Sequence, residues 1–327
     1  MHKLIALLSS LAFTFGMTSA ALAADPIVMK LGHSAQVSHT THVSAAVLAE
    51  LVEKKSNGRM KIEIYPARQL GGDVEIIEQV MSGTIEMISS GTPFFGPFTP
   101  ALDVLQLPFL LNTYEKEQKA VASAEFAELT KHFEPLNMKV VQMSELGMRQ
   151  LANNKRPIKT LEDVKGLKLR AVPNPLIIKS LEALGANPTP MAYGEVYTAL
   201  QTKVLDGEEI NYTSIDSEKH FEVLKYVSEV GLFPFPGVIM INLDFFNALS
   251  PEDQQILLEA GREATPILFD KLREADARAL EVMEKAGLEL NKVDDLEPFR
   301  ARITHLYDEY AKKGPEYKAF IEMAKGL

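Results

Sequence analysis

Residues 27–89 read IVMKLGHSAQVSHTTHVSAAVLAELVEKKSNGRMKIEIYPARQLGGDVEIIEQVMSGTIEMIS, and this stretch decides the fold class. Ile27, Met29 and Leu31 alternate, which is the period of a strand. Val43, Val47 and Leu51 recur every fourth residue, as do Ser44, Leu48 and Val52, which predicts a helix. Lys54 and Lys55 suit its negative carboxyl end, and Asn57-Gly58 can stop it. Met60, Ile62 and Ile64 make a second strand, ended by Pro66. Asp73 reads as the N-cap of a helix through Ile76, Ile77 and Val80, closed by Gly83, and Ile85 to Ser89 is a third strand. Strand–helix–strand–helix–strand predicts right-handed crossovers, a mostly parallel sheet and an α/β fold.

Working outward, Thr92 to Pro108 carries four prolines and precludes a regular helix. Its Phe94, Phe95 and Phe98 either wall a pocket or anchor a loop. A second α/β set begins near Met138. Val140 and Val141 lie in one of its strands. Leu167, Leu169 and Ala171 share one face of another, with Lys168 and Arg170 on the opposite face. A helix is predicted from about Pro175 to Leu184. Another follows Tyr193, with Val196, Leu200 and Val204. Two such sets imply two lobes, and Gly231–Gly237 (GLFPFPG) reads as a crossing between them. Ser250-Pro-Glu-Asp starts a helix that runs to about Ala286, long enough to bridge both lobes and kinked at Pro266. The alternative is two helices meeting at that proline. A last helix pair fills Asp294 to Lys325. Upstream, Met1-His-Lys, an apolar Leu4–Phe15 and Ala21-Leu22-Ala23 predict a signal peptide, residues 1–23, cleaved after about Ala23. No later segment is apolar enough to hold the chain in a membrane.

Composition removes whole classes of function. The chain has 327 residues, 34 Lys+Arg against 44 Asp+Glu and a net charge of −10, which argues against nucleic acid as a partner. It has no cysteine, so disulfides, thiolate zinc sites, iron–sulfur clusters and a cysteine nucleophile are excluded together. No P-loop, G-x-S-x-G elbow or H-E-x-x-H pair occurs. His39 and His42 share a helical spacing but lack a third metal ligand, so they read as exposed or capping residues. His33 follows the first strand, where α/β proteins bind ligands, and reads as a ligand donor or a structural hydrogen bond. Arg170 closes the strand LKLRAVPN, and a guanidinium at such a strand end can grip a carboxylate with two parallel bonds. Arg149, in GMRQLANN, offers a second cation. By residue type alone, Arg170 is either a surface charge or a ligand anchor.

From Leu31 through Gly287 the chain resembles the periplasmic solute-binding proteins of TRAP transporters, the dicarboxylate and sialate receptors. The strings that carry the resemblance are LGHSA, IEIYPARQLGGD, LPFLL, GMRQLANNKRPIKTLEDVKGLKLRAVPN, GANPTPMAYGEVYTALQTKVLDGEE and LSPEDQQ. It implies a two-lobed periplasmic-binding-protein (Venus flytrap) fold with a long helix bridging both lobes. Lobe I would hold residues 24–146 plus about 236–275, and lobe II 147–235 plus about 276–327. It implies no enzyme activity and no cofactor. The implied ligand is an organic acid anion, and the implied partners are the small and large TRAP membrane subunits. The family's carboxylate-pairing arginine falls on Arg170 and a second on Arg149. Asn174 and Tyr193 fall on further ligand-facing positions of the second lobe. Ser34, Asp73 and Gly91 fall on those of the first, with Ser90 and Thr92 beside them. Two positions depart from the sialate type. Ile210 stands where asparagine is expected, so that Asn211 would serve only after a loop shift, and Gly91 replaces an acidic contact. Both disfavour sialate and favour a smaller or less polar acid. The rival expectations are an exported enzyme using Glu195, Glu208 or Glu209 as acid–base groups, and a receptor feeding a membrane sensor.

Overall fold

A computed structural model describes residues 26–327; the expected leader, residues 1–23, lies outside them. Eleven strands follow one another: β1 Ile27–Gly32, β2 Met60–Tyr65, β3 Met87–Gly91, β4 Met138–Glu145, β5 Gln150–Asn153, β6 Lys168–Ala171, β7 Asn187–Pro190, β8 Gly207–Ile210, β9 Tyr226–Glu229, β10 Pro236–Asn242 and β11 Glu289–Lys292. They form two sheets, ordered β2-β1-β3-β10-β4 and β11-β9-β5-β8-β6-β7. Each sheet centres one lobe of the α/β fold. The pairs β1–β2, β1–β3, β6–β7, β6–β8 and β9–β11 are parallel, as the alternating pattern predicts. The antiparallel strands are β10, against β3 and β4, and β5, against β8 and β9. Each of these enters its sheet directly from the other one. A chain arriving from outside need not obey the crossover geometry that keeps successive strands of one sheet parallel.

The chain passes between the sheets at Leu146–Arg149 and again through GLFPFPG. These segments pair with each other: Leu146 N–H donates to Phe235 O (3.1 Å), Arg149 N–H to Phe233 O (2.9 Å) and Leu232 N–H to Arg149 O (2.9 Å). The third connection is a single helix, Pro251–Lys285, unbroken through Pro266. Ser250 caps it as expected, its hydroxyl accepting from Asp253 N–H at 3.1 Å. Its Ile256, Leu257 and Ala260 are buried with the first sheet, and its Ala279 and Met283 with the second. Gly261 sits where the helix presses on β4. A Cβ there would collide with Val141 O, so no larger residue fits without moving helix or strand.

Several boundaries depart from expectation. The helix after Gly71 is capped by Gly72, whose N–H is held by the Glu75 carboxylate at 2.7 Å, so Asp73 is the first helical residue rather than the cap. The helix after Tyr193 ends at Gln201 and leaves Val204 exposed. The final segment is three helices, Glu297–Ile303, His305–Ala311 and Pro315–Lys325, rather than two. The last of them packs against the helices Tyr114–Val121 and Ala124–Thr130.

Candidate functional site

A tight cavity lies between the sheets at the carboxyl ends of β3 and β6. Its free space is about 20 Å³, room for about one water. Outside it a wider depression of about 500 Å³ shares Ser34, Asp73, Phe94 and Tyr193 with the cavity wall.

The second-sheet wall is built around charge. Side chains on β8 alternate, so Glu208 and Glu209 point to opposite faces. Glu208 meets His220 Nδ1 at 2.7 Å on one face. On the other, Glu209 accepts from Arg149 Nε at 2.5 Å and lies 4.0 Å from Arg170 Nη1. Arg149 donates further to Asn211 Oδ1 (2.8 Å) and to Glu209 O (2.5 Å), and its guanidinium carbon stands 4.3 Å from the Phe235 ring centre. Arg170 donates Nε and Nη2 to Met191 O, at 3.1 and 3.0 Å. Its Nη1 makes no hydrogen bond within the described residues. Both arginines are buried, at 2% and 1% exposure. Burial lowers the Arg170 pKa, a direction the Glu209 charge opposes. Two buried guanidiniums thus share the Glu209 carboxylate, and Arg170 is left without a carboxylate in hydrogen-bond contact. A buried guanidinium so placed is costly unless an anion arrives.

The first-sheet wall carries shorter groups. Ser90 donates its hydroxyl to Asp73 Oδ1 at 2.5 Å. Burial raises the Asp73 pKa, while bonds from Ser34 and Ser90 and the nearby Arg170 hold it down. His39 caps the helix Thr40–Lys55: its Nδ1 accepts from Thr41 N–H at 3.0 Å. The remaining ring proton therefore sits on Nε2, which donates across the cleft to Ser214 Oγ at 3.0 Å. Ser214 in turn donates to Asn211 Oδ1 at 2.8 Å. A histidine in this tautomer cannot deprotonate the serine, so the pair is a bridge and not a nucleophile with its base. Burial, more than the neighbouring His33 and Arg149, depresses the His39 pKa to about 3, and burial depresses His33 to about 4.

Of the residues singled out from the sequence, Arg170, Arg149, Tyr193, Ser34, Asp73, Ser90 and Gly91 line this cavity. Five do not. Asn174 caps the helix Pro175–Ala183, accepting from Leu176 N–H (2.8 Å) and Ile177 N–H (3.2 Å), and donates to Pro93 O and Asp103 Oδ1. The following proline, a frequent first helical residue, is the signal in the sequence for that role. Ile210 follows the alternation of β8 into the second-sheet core. Asn211 acts without the loop shift, holding Arg149 and donating to Leu146 O. Thr92 accepts from Gln106. His33 bonds His42 at 3.0 Å.

Sequence reasoning missed Ala35, His39, Thr41, Leu146, Ser214 and Phe235 as residues of the cavity wall. Phe94 also lines it while packing into the core, so that ring both walls the pocket and anchors its loop. His39 is a cap, as one expectation held, but a buried one. The acid–base residues of the enzyme alternative are otherwise occupied: Glu208 and Glu209 as above, and Glu195 exposed. Among the described residues no three His, Cys, Asp or Glu side chains cluster as a metal site.

Two sheets joined by two paired crossings and one long helix, closing on a cavity lined by two buried arginines, define a two-lobed solute receptor. Residues 31–313 match the model of the bacterial extracellular solute-binding protein family 7, and the chain belongs to that family. It is a binding protein of a transport family, not an enzyme. It is 31% identical over 262 residues to the 2,3-diketo-L-gulonate-binding periplasmic protein YiaO of Escherichia coli, covering 80% of each chain. Among solved structures it superposes with TM-score 0.87 on a TRAP periplasmic solute-binding protein from Roseobacter denitrificans holding β-D-glucuronate, at 30% identity, over 91% of this chain and 99% of that one. A TRAP solute-binding protein from Polaromonas sp. JS666 bound to D-erythronate matches with TM-score 0.87 at 28% identity, over 92% and 99%.

Proposed function

We propose that this protein captures an organic acid anion between its lobes, with the ligand carboxylate on the free side of Arg170, and delivers it to the small and large membrane subunits of a TRAP permease. The observation that carries this reading is the buried Arg170 guanidinium, whose nearest counter-charge stands 4.0 Å off and is already taken by Arg149. A carboxylate is the ligand that satisfies it, through two parallel charge-assisted bonds. Arg149 contributes charge from behind. Ser34, Asp73 and Ser90 supply the polar contacts of the opposite wall.

With about 20 Å³ free, the ligand enters only if the lobes part, and the bonds His39–Ser214 and Arg68–Glu218 are two of those that join the lobes beside the cavity. The lobes are taken as 24–146 plus about 236–275 and 147–235 plus about 276–327. The relatives' periplasmic setting fits cleavage of a leader after about Ala23 and release into the periplasm. A thermal-shift screen of the purified protein over small carboxylic acids tests the reading, since a ligand bound only by the folded form raises the melting temperature. At least one acid should raise it; no response to any acid, or the same response in Arg170→Ala, overturns the reading.

A further inference from the structure

Gly91 and Phe235 deepen that reading, and the ligand class they point to rests on it. Gly91 has φ −71° and ψ 139°, an extended backbone open to any residue, so conformation does not demand glycine there. Space does. A Cβ at position 91 would stand 2.5 Å from both Cε1 and Cζ of Phe235. The tip of the Phe235 ring occupies the volume into which a side chain from β3 would otherwise project. That ring is fixed at its root: Phe235 N–H donates to Glu145 Oε1 at 3.0 Å and to Gly147 O at 3.2 Å, within the paired crossings.

The ring has two consequences for a ligand. It lies over the Arg149 guanidinium, whose Nε, Nη1 and Nη2 each already donate within the protein. The fork that Arg149 makes with Nε and Nη2 is therefore filled by Glu209, and the ring covers the guanidinium face. With Phe94 and Leu146, the ring also supplies the apolar part of the cavity lining. Both of those residues are buried, at 6% and 2% exposure. Hydroxyl groups placed against that side would lose their water and find no partner, which a binding site penalises far more than a missing methylene.

We infer that the ligand is a small monocarboxylate with a hydroxyl beside the carboxylate and a short branched aliphatic tail, and that Phe235, admitted by Gly91, selects it over sugar acids and dicarboxylates. The carboxylate meets Arg170, the hydroxyl meets the Ser34–Asp73–Ser90 strip, and the tail lies on Phe235, Phe94 and Leu146.

Calorimetry with 2-hydroxy-3-methylbutanoate, D-glucuronate and succinate tests this on the wild-type protein. The branched hydroxy acid should bind at least tenfold more tightly than either of the others. Glucuronate or succinate binding as tightly overturns the assignment of the tail but leaves the carboxylate site standing. Failure of all three to bind, or branched-acid binding unchanged in Arg170→Ala, overturns both. Phe235→Leu keeps an apolar side chain but removes the ring from Arg149. It should narrow the preference for the branched acid over glucuronate to less than threefold, with folding checked by its melting curve. A correctly folded Phe235→Leu that discriminates like the wild type removes Phe235 from the selecting role.

Discussion

The two walls of the cavity are made differently. The second-sheet wall is wired in advance: Glu209 holds Arg149 and faces Arg170 at 4.0 Å, Asn211 takes a further Arg149 donor, Met191 O takes Nε and Nη2 of Arg170 and leaves Nη1 open, and both arginines are buried. The first-sheet wall consists of short side chains at the ends of β1 and β3 and one acid whose pKa burial has raised. The charged wall is suited to holding any carboxylate, because electrostatic preorganisation does not depend on what the rest of the ligand is. The first-sheet wall and the aromatic ring at its edge are suited to selecting which carboxylate, because unpaired polar groups and lost packing discriminate where charge cannot.

Four substitutions would break or sharpen that contrast. The largest effect is expected from Glu209→Gln, which removes the nearest counter-charge of two buried guanidiniums; breaking a buried pair in this way costs about 3–5 kcal/mol. Urea unfolding of the variant should show that loss, and a loss below about 1 kcal/mol, the range of exposed ion pairs, would mean the wall is not held by charge. Arg170→Ala comes next. It removes the ligand's charged partner and should weaken acid binding at least tenfold, or about 1.4 kcal/mol and upward, read by calorimetry. Equal affinity in the two proteins would transfer the anchoring role to the other wall.

His39→Gln probes the bridge between the walls through pH. The folded His39 pKa is depressed to about 3 against an ordinary 6.5, so between these values the unfolded chain binds the extra proton. The stability contributed by the neutral ring is therefore complete above the ordinary pKa and is lost as pH falls toward about 3. Asp103 and Asp276, raised by burial to about 6 and about 7, act in the opposite direction and partly mask this in the wild type alone. The difference between wild type and His39→Gln isolates it. That difference should grow by about 1.4 kcal/mol per pH unit from pH 4 to 6. A flat difference in urea melts would show that His39 is not held neutral. The smallest effect belongs to Arg68→Ala, which removes a partly exposed pair with Glu218 at 3.4 Å and a bond to Ser34 O. Such pairs contribute under about 1 kcal/mol, so stability should barely change while ligand release quickens by a few-fold, a stopped-flow measurement. Unchanged release would take the contact out of the closure.

The site is legible in the sequence where residue type and local position suffice. A strand-end arginine, the hydroxyls after β1 and β3 and Asp73 can be read from spacing and resemblance. Asn174 shows the limit, because asparagine before proline fits a ligand contact and a helix cap equally, and the local backbone takes it as a cap. Asp73 shows the converse: its position suggests a cap, but Glu75 holds the cap N–H and the Asp73 carboxylate is left to the cavity. Phe235 leaves no sign in GLFPFPG beyond a crossing, since its function depends on a glycine far away in the chain.

By itself the sequence determined the strand and helix periods, the pairing of two α/β sets, the long helix beginning at Ser250 and the family. All of these come from local alternation, capping chemistry and short motifs, which act over a few residues. Tertiary structure alone decided that one glutamate serves two arginines, that an aromatic ring fills the space beside Gly91, and that His39 reaches Ser214. Those contacts join residues whose separation along the chain carries no periodic signal, and they exist only because packing brings two sheets together over one small cavity.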